Sequence, residues 1–524
     1  MTGETVEVLP DRSRFDAIVI GAGHNGLVTA AYLARSGMDT LLIEARSSVG
    51  GTAASEEFAG ATVNICNCDH LTFRTTPVVA ELDLASHGLR YLDLEPRQHN
   101  AAWSSVGDGT LWSTYADLDE TVSEIARFSP TDAKGYRRFV DDARPVVELI
   151  LDVANEPPTI GGLMKRTLRR RGRGVTRLLA WSRRSAHDVL ASYFSSPEVA
   201  ATGAATGPMV WGISPKLPGT GLGALTHAMR HVAQVGRPVG GSGALTEALR
   251  AAFEAAGGHL ALDTKVTEIR CEADRVAGVS VSNGSDAVVD LDAPVVVSAC
   301  NPHDTFLRWL THPPADAARL IERWRSVPHA DGYESKLDVV LTAEPRLWNI
   351  DRPLGPTTVI APSLDDIHDA AQLMASGEVH QRPAFLVNVP TVIDPTMAPE
   401  GGHVLSLEAL FTPYGRPGGW DRDDEPRRWL ELFASVCEPG LLESIVDWRA
   451  MTPDRYETEF HLPAGHATSF GGGPLAALRN PNPELTRYET AVLGLYLTGA
   501  ATFPGAGVWG ASGRNCATAV LARS

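Results

Sequence analysis

The chain has 524 residues, 44% hydrophobic, 21% charged and 7% aromatic, a water-soluble globular composition that at about 150 residues per domain implies two to four domains and excludes disorder, coiled coil and collagen. A formal charge of −17, from 46 basic against 63 acidic residues, argues against nucleic acid as a partner, because a polyanion needs a basic face. Glycine is in excess, at 49 of 524 residues where an average chain has about 7%, which suits loops that approach a phosphate or a flat cofactor closely.

The six cysteines, at 66, 68, 271, 300, 437 and 516, form no CxxC and no zinc-spaced cluster with histidine. The expectation is a reducing compartment and no metal. The first residues are acidic, unlike a secretion signal, and no apolar run approaches the roughly 18 residues that span a bilayer. A cytoplasmic protein, at most bound to a membrane surface, is therefore expected.

Phe15-Asp-Ala-Ile-Val-Ile20 reads as a buried strand. Gly21-Ala-Gly-His-Asn-Gly26 follows at once, then a small-residue helix over 27–36 with Gly37 in the C-cap position, then a second strand ending in the acid Glu44. A lone GxGxxG is only a tight turn. With both strands, the helix and the acid in register it is a dinucleotide fingerprint. Gly21 makes the turn, Gly23 admits a pyrophosphate, and Gly26 lets helix and strand pack closely. The helix N-terminus offers free N–H groups to phosphate. Glu44 can accept from ribose hydroxyls and would repel a 2′-phosphate. Arg46, Gly50, Gly51 and Thr52 continue the segment, a base to neutralise pyrophosphate and a glycine pair flat enough for a ring system. Asn64-Ile-Cys-Asn-Cys-Asp-His70 follows. Cys66 and Cys68 read as a redox pair, a cofactor tether or pocket lining, against plain burial, and Asp69 and His70 add polar groups beside them.

Short strands are expected at 89–94 and 102–106, and helix near 117–154. Nine basic residues between 163 and 195 meet one acid, Asp188, with apolar residues interleaved. Such a stretch can lie on an anionic membrane. It can equally be a cap helix with a solvated basic face, and Gly172 and Gly174, which interrupt it, favour that reading. The glycine clusters at 219–223 and 240–243 follow loops and read as turns, so no second dinucleotide site is expected. A helix over 244–257, strands within 259–270, a hairpin of 276–282 with 288–291 and a buried strand at 294–299 return to nucleotide-domain texture. Strand-like runs at 335–341, 384–389 and 403–410 would form a substrate-domain sheet. At the C-terminus a strand ends in Gly499-Ala500, and Pro504-Gly-Ala-Gly-Val508-Trp-Gly leads into a helix over 514–521, a second helix N-terminus able to face a diphosphate.

The extension after Glu44, the 240–301 block, the segment 394–407 and the C-terminal glycine loops together resemble the phytoene-desaturase-like FAD oxidoreductases of the amine oxidase superfamily. The likeness is closest to the branch of pyridine nucleotide-disulphide oxidoreductase domain-containing proteins, although no CxxC supports the disulphide in that name. The resemblance covers nearly the whole chain. It implies an α/β Rossmann-type FAD-binding domain with an inserted α+β substrate-binding and cap domain. The expected division is 1–100, 236–310 and 476–524 for the FAD-binding domain, 101–235 for the helical cap and 311–475 for the substrate sheet. FAD, non-covalently held, would lie on Gly21, Gly23, Gly26, Glu44, Arg46 and Val266, with its ring between Gly50, Gly51, Thr52 and Gly499, Ala500, Gly507, Val508. His466 is the candidate catalytic side chain, against a hydrogen-bonded structural histidine. His70 and Trp509 are candidate pocket walls, core packing being the equal explanation for Trp509.

The activity so implied is transfer of a hydride from a C–H or C–N bond of a small or medium organic substrate to FAD, with oxygen or a quinone as electron acceptor. A membrane-associated carotenoid-type desaturase or isomerase, using the basic stretch 163–184, is the alternative. A flavin-bound chaperone without turnover is the reading from another class.

Overall fold

A computed structural model describes residues 12–66, 69–283, 287–329, 332, 334–471 and 473–523. Cys68 lies outside the described residues. A five-stranded parallel sheet runs in the order Leu495–Leu497, Val295–Ser298, Ala17–Ile20, Thr40–Ile43, His259–Ala261. It thus gathers strands from the beginning, middle and end of the chain. All four residues of Ala17–Ile20 are buried, as expected of a central strand covered on both faces. One face carries the helices His24–Arg35, Gly243–Ala255 and Ala511–Leu521, packed through Ala30, Leu33, Leu245, Phe253 and Val520. The other is covered by the antiparallel sheet Lys265–Glu272, Arg275–Ser282, Val288–Asp292, through Ile269, Val279 and Val281.

A seven-stranded sheet forms the second layer. Its order is Ile445–Met451, Glu334–Leu341, His403–Leu410, Phe385–Asn388, Thr358–Ala361, Gln98–Ala102, Trp112–Thr114. Every pairing is antiparallel except that of Thr358–Ala361 with Gln98–Ala102. Leu337, Val339, Leu405, Leu407, Phe385 and Val387 pack under the helix Glu425–Ala434 through Trp429 and Phe433. The alternate residues Glu334, Lys336, Asp338, Ser406, Glu408 and Asn388 point to the opposite face, and they too are buried. The strand expected at 102–106 lies earlier, at Gln98–Ala102. The chain turns at 103–109, where Gly109 adopts φ +78.

The expected 117–154 helix is two, Leu118–Ala126 and Pro130–Ala154, because Ser129 caps the second by accepting from Asp132 N. Tyr136, Phe139, Val140 and Val147 of the long helix centre a separate helical core. The basic stretch forms Ile160–Arg169 and Val175–Trp181, parted where Arg171, Gly172 and Gly174 take positive φ.

Candidate functional site: a glycine-lined arm and a polar chamber

A cleft of about 560 Å³ runs between the two sheets. Gly21, Gly23, Gly26, Glu44, Arg46, Gly50, Gly51, Thr52, Val266, Gly499, Ala500, Gly507 and Val508 all line it. The arm is built by close backbone approach. Gly21 (φ +94) turns the chain from strand to helix, and a Cβ on Gly26 would run into the Gly21 carbonyl. A Cβ on Gly23 or Gly507 would meet nothing within 4 Å, so these two positions face open space. The first and last helices cross tightly. Thr29 Oγ1 donates to Gly513 O at 3.0 Å, and Gly513 N donates to Asn25 Oδ1 at 3.2 Å. This brings the loop before Ala511–Leu521 against the N-terminus of His24–Arg35, which has no side-chain cap.

The Glu44 carboxylate is held by Ala22 N (2.7 Å) and Arg46 N (3.0 Å), which fixes it at the end of the strand. Arg46 pairs with Glu56 at 2.6 Å and stacks over Phe460 at 4.0 Å, but its buried Nη1 has no hydrogen-bond partner. A buried donor is costly to leave unmade, and here it lies in a residue lining a cleft whose glycines leave room for a phosphate. The donor set therefore fits an extended FAD, with an acid for ribose, an open guanidinium edge and an uncapped helix N-terminus for diphosphate.

His24 lines the same arm and was not foreseen as a site residue. It bonds to the Gly507 backbone and to Asn25 Nδ2 (3.0 Å), and burial pushes its pKa down to about 4, so it joins the two glycine loops as a neutral ring.

Beyond the arm the cleft is lined by Cys66, Asp69, Thr226, Arg230, Glu334, Thr357, Leu386, Asn388 and Glu408. Asp69 is buried against Arg237 at 2.5 Å and accepts from Thr357 Oγ1 at 2.5 Å. Burial alone would raise its pKa, but Arg237 and Thr357 hold it below the ordinary carboxylate value. Burial, and then the neighbouring Glu334, push Glu408 well above its ordinary carboxylate value. Cys66 donates to Glu334 Oε1 at 2.9 Å, and burial keeps the thiol protonated. Lys336 is drawn to Asp338 and the Asn64 carbonyl.

Trp509 lines the cleft. Two candidate residues, His70 and His466, are not among those that line it. His70 does not reach the cleft. It is fully buried, with Nδ1 at 2.8 Å from Tyr91 Oη and Nε2 at 3.1 Å from Ser242 Oγ. His466 is buried beside the Trp211 backbone, which it hydrogen-bonds, and burial lowers its pKa. It is its neighbours His461, Leu462, Ala467 and Thr468 that line the cleft. Among the described residues no cluster of three or more His, Cys, Asp or Glu is placed to hold a metal, and no helix is long and apolar enough to cross a membrane.

The sequence profile of the flavin containing amine oxidoreductases matches residues 26–521, and the chain belongs to that family. It is an FAD-dependent oxidoreductase. Pyridine nucleotide-disulfide oxidoreductase domain-containing protein 2 of Rattus norvegicus is 29% identical, over 97% of this chain and 94% of the relative. The lycopene-forming phytoene desaturase of Pantoea ananas is 26% identical over 96% and 98%. Among solved structures, an engineered putrescine oxidase superposes with a TM-score of 0.62 at 17% identity, covering 98% of this chain and 100% of its own, a likeness of fold.

Proposed function

We propose that the cleft holds FAD extended and non-covalently, its adenosine on Glu44 and Val266, its diphosphate between Gly21–Gly26 and Arg46, and its ring between Gly50–Thr52 and Gly499–Val508. A small or medium organic substrate then occupies the polar chamber. The observation that carries this reading is that all thirteen cofactor positions expected from sequence line one cleft, which polar side chains such as Asp69, Arg230 and Asn388 also line. Once bound, FAD supplies the two-electron chemistry, accepting a hydride from a C–H or C–N bond, with oxygen or a quinone as the final acceptor. The chain's own residues orient and exclude water. Trp509 and Leu386 wall the chamber, and Asp69, fixed by Arg237 and Thr357, gives it a rigid polar side. The buried carboxyls Glu334 and Glu408 favour a substrate with hydrogen-bonding groups over a polyene. The domain division expected from sequence, and a cytoplasmic location, form part of the same reading.

The visible spectrum of the purified protein tests it. Bands near roughly 370 and 450 nm, those of an oxidised flavin tuned by its protein, are expected, together with bleaching by substrate without oxygen. Protein that stays colourless after incubation with FAD defeats the proposal.

A second reading concerns location. On Ile160–Arg169 the apolar residues Ile160, Met164 and Leu168 are 67%, 59% and 74% exposed, at i, i+4 and i+8. Arg166, Arg170 and Arg177 turn inward to Glu156, Glu148, Asp152 and Asp142. Lys165, Arg169, Arg171, Arg173 and Arg183 are exposed and make no ion pair among the described residues. An apolar stripe flanked by free bases suits an anionic lipid surface. Vesicles of phosphatidylcholine with phosphatidylserine should co-sediment the protein, vesicles of phosphatidylcholine alone should not, and Met164→Glu with Leu168→Glu should abolish binding.

A further inference from the structure

Two buried ion pairs sit in or beside this chamber. Asp69 has Arg237, and Lys336 has Asp338, which also takes Arg449 Nε at 2.9 Å. Arg230, which follows the helix Leu225–Met229, has no such match. It lines the cleft at 5% exposure, its Nε donates to Gln98 Oε1, and no carboxylate lies within ion-pair reach of it among the described residues. Its Nη1 is buried without a hydrogen-bond partner. Burial lowers its pKa only to about 10, with Asp69 opposing the shift, so the guanidinium stays charged at neutral pH. An isolated buried cation is rarely left without a partner unless a ligand supplies one. The wall around it is Thr226 and Met229 of the cap and Thr357, Leu386 and Asn388 of the seven-stranded sheet. These belong to the chamber and not to the glycine-lined arm, so Arg230 borders substrate space.

We propose that Arg230 is the substrate-anchoring residue of this enzyme and that it takes a carboxylate, which makes the substrate an organic acid. This rests on the flavin reading above. A carboxylate is planar and singly charged, and it can bridge the open edge of a guanidinium with two acceptors. A dianionic phosphate suits the place less, because a single guanidinium matches one negative charge and not two. Asn388 and Thr357, held by the Asp69–Arg237 pair, fix the wall against which the acid would lie. Arg230 thereby sets specificity and orients the carbon that faces the flavin site.

The test uses the flavin-loaded protein, with its spectrum recorded before any addition. Benzoate and decanoate, and their neutral amides benzamide and decanamide, are titrated while flavin absorbance and thermal midpoint are followed. At least one carboxylate should bind ten times more tightly than its amide. Arg230→Gln should erase that preference while the flavin spectrum stays intact, and Arg230→Lys, which keeps the charge, should retain part of it. Amides that bind as well as the acids, no response to either acid, or a carboxylate preference that survives Arg230→Gln would each overturn the proposal. Protein without flavin would instead overturn the cofactor reading, and the first spectrum separates the two failures.

Discussion

The two ends of the cleft are made by opposite means. In the arm the working surface is backbone, freed by Gly21, Gly23, Gly26, Gly50 and Gly507, and the one acid that matters, Glu44, is held by two backbone N–H groups. In the chamber the working surface is side chains, with Asp69, Arg230, Arg237, Glu334 and Glu408 withdrawn from water. A cofactor of constant shape can be held by a fixed cradle, whereas a substrate is chosen by charge in a dry place, where charge is costly and therefore selective.

If this division is right, substitutions in the arm should empty the protein of flavin, and substitutions in the chamber should alter stability and ligand preference while flavin stays. The largest effect belongs to the chamber. Arg237→Met leaves Asp69 buried without its counter-charge, and by analogy with broken buried pairs should cost about 3–5 kcal/mol, read by urea unfolding. Unfolding within 1 kcal/mol or so of the wild type would show that water already reaches Asp69. Next is Gly26→Ala, whose methyl group meets the Gly21 carbonyl. Overpacking of this kind costs about 1–3 kcal/mol, and the flavin-to-protein absorbance ratio should fall before the melting curve does. Glu44→Gln keeps the shape but exchanges charged for neutral hydrogen bonds, a loss of about 1–1.5 kcal/mol, near tenfold in FAD affinity by titration of the apoprotein. Unchanged affinity would remove Glu44 from the adenosine site.

The smallest effect is one of pH. Glu408 has a folded pKa above its unfolded one, so the native state holds an extra proton between the two values. That contribution to stability is complete below the unfolded pKa, about 4.3, and is lost as pH rises towards the folded value. Glu408→Gln should flatten this decline, and the variant should gain on the wild type as pH rises above the unfolded value in paired unfolding curves. Parallel curves would mean that Glu408 is ionised throughout.

The arm was legible in the sequence because its requirements are local. A strand, three glycines at fixed spacing and an acid 18 residues beyond Gly26 express a turn, a close approach and a carboxylate at the strand end within one βαβ unit, and the C-terminal loops repeat the same signal. The chamber was much less legible. Glu334-Ser-Lys336-Leu-Asp338 alternates as any strand with one wet face does, and nothing in its spacing shows that Asn64 and Cys66 come to cover that face. Arg230 carries no local motif either; its isolation exists only once Gln98, from a distant strand, is beside it. The same holds for His70, whose partners Tyr91 and Ser242 come from two other segments and turn a candidate pocket residue into a core one. His24 could have been found, since an imidazole within a glycine fingerprint is a bulky choice that asks for a reason.

The edge strand Leu495–Leu497 and the loop 499–509 supply the second wall of the arm, and both come from the last thirty-odd residues of the sequence. During synthesis the N-terminal fingerprint therefore leaves the ribosome long before there is anything for it to close upon. Until the final helix has emerged and locked through Gly513 onto Asn25 and Thr29, the nascent chain presents half a cradle. A chain cut short before Leu495 would lack that second wall and should therefore be recovered without flavin.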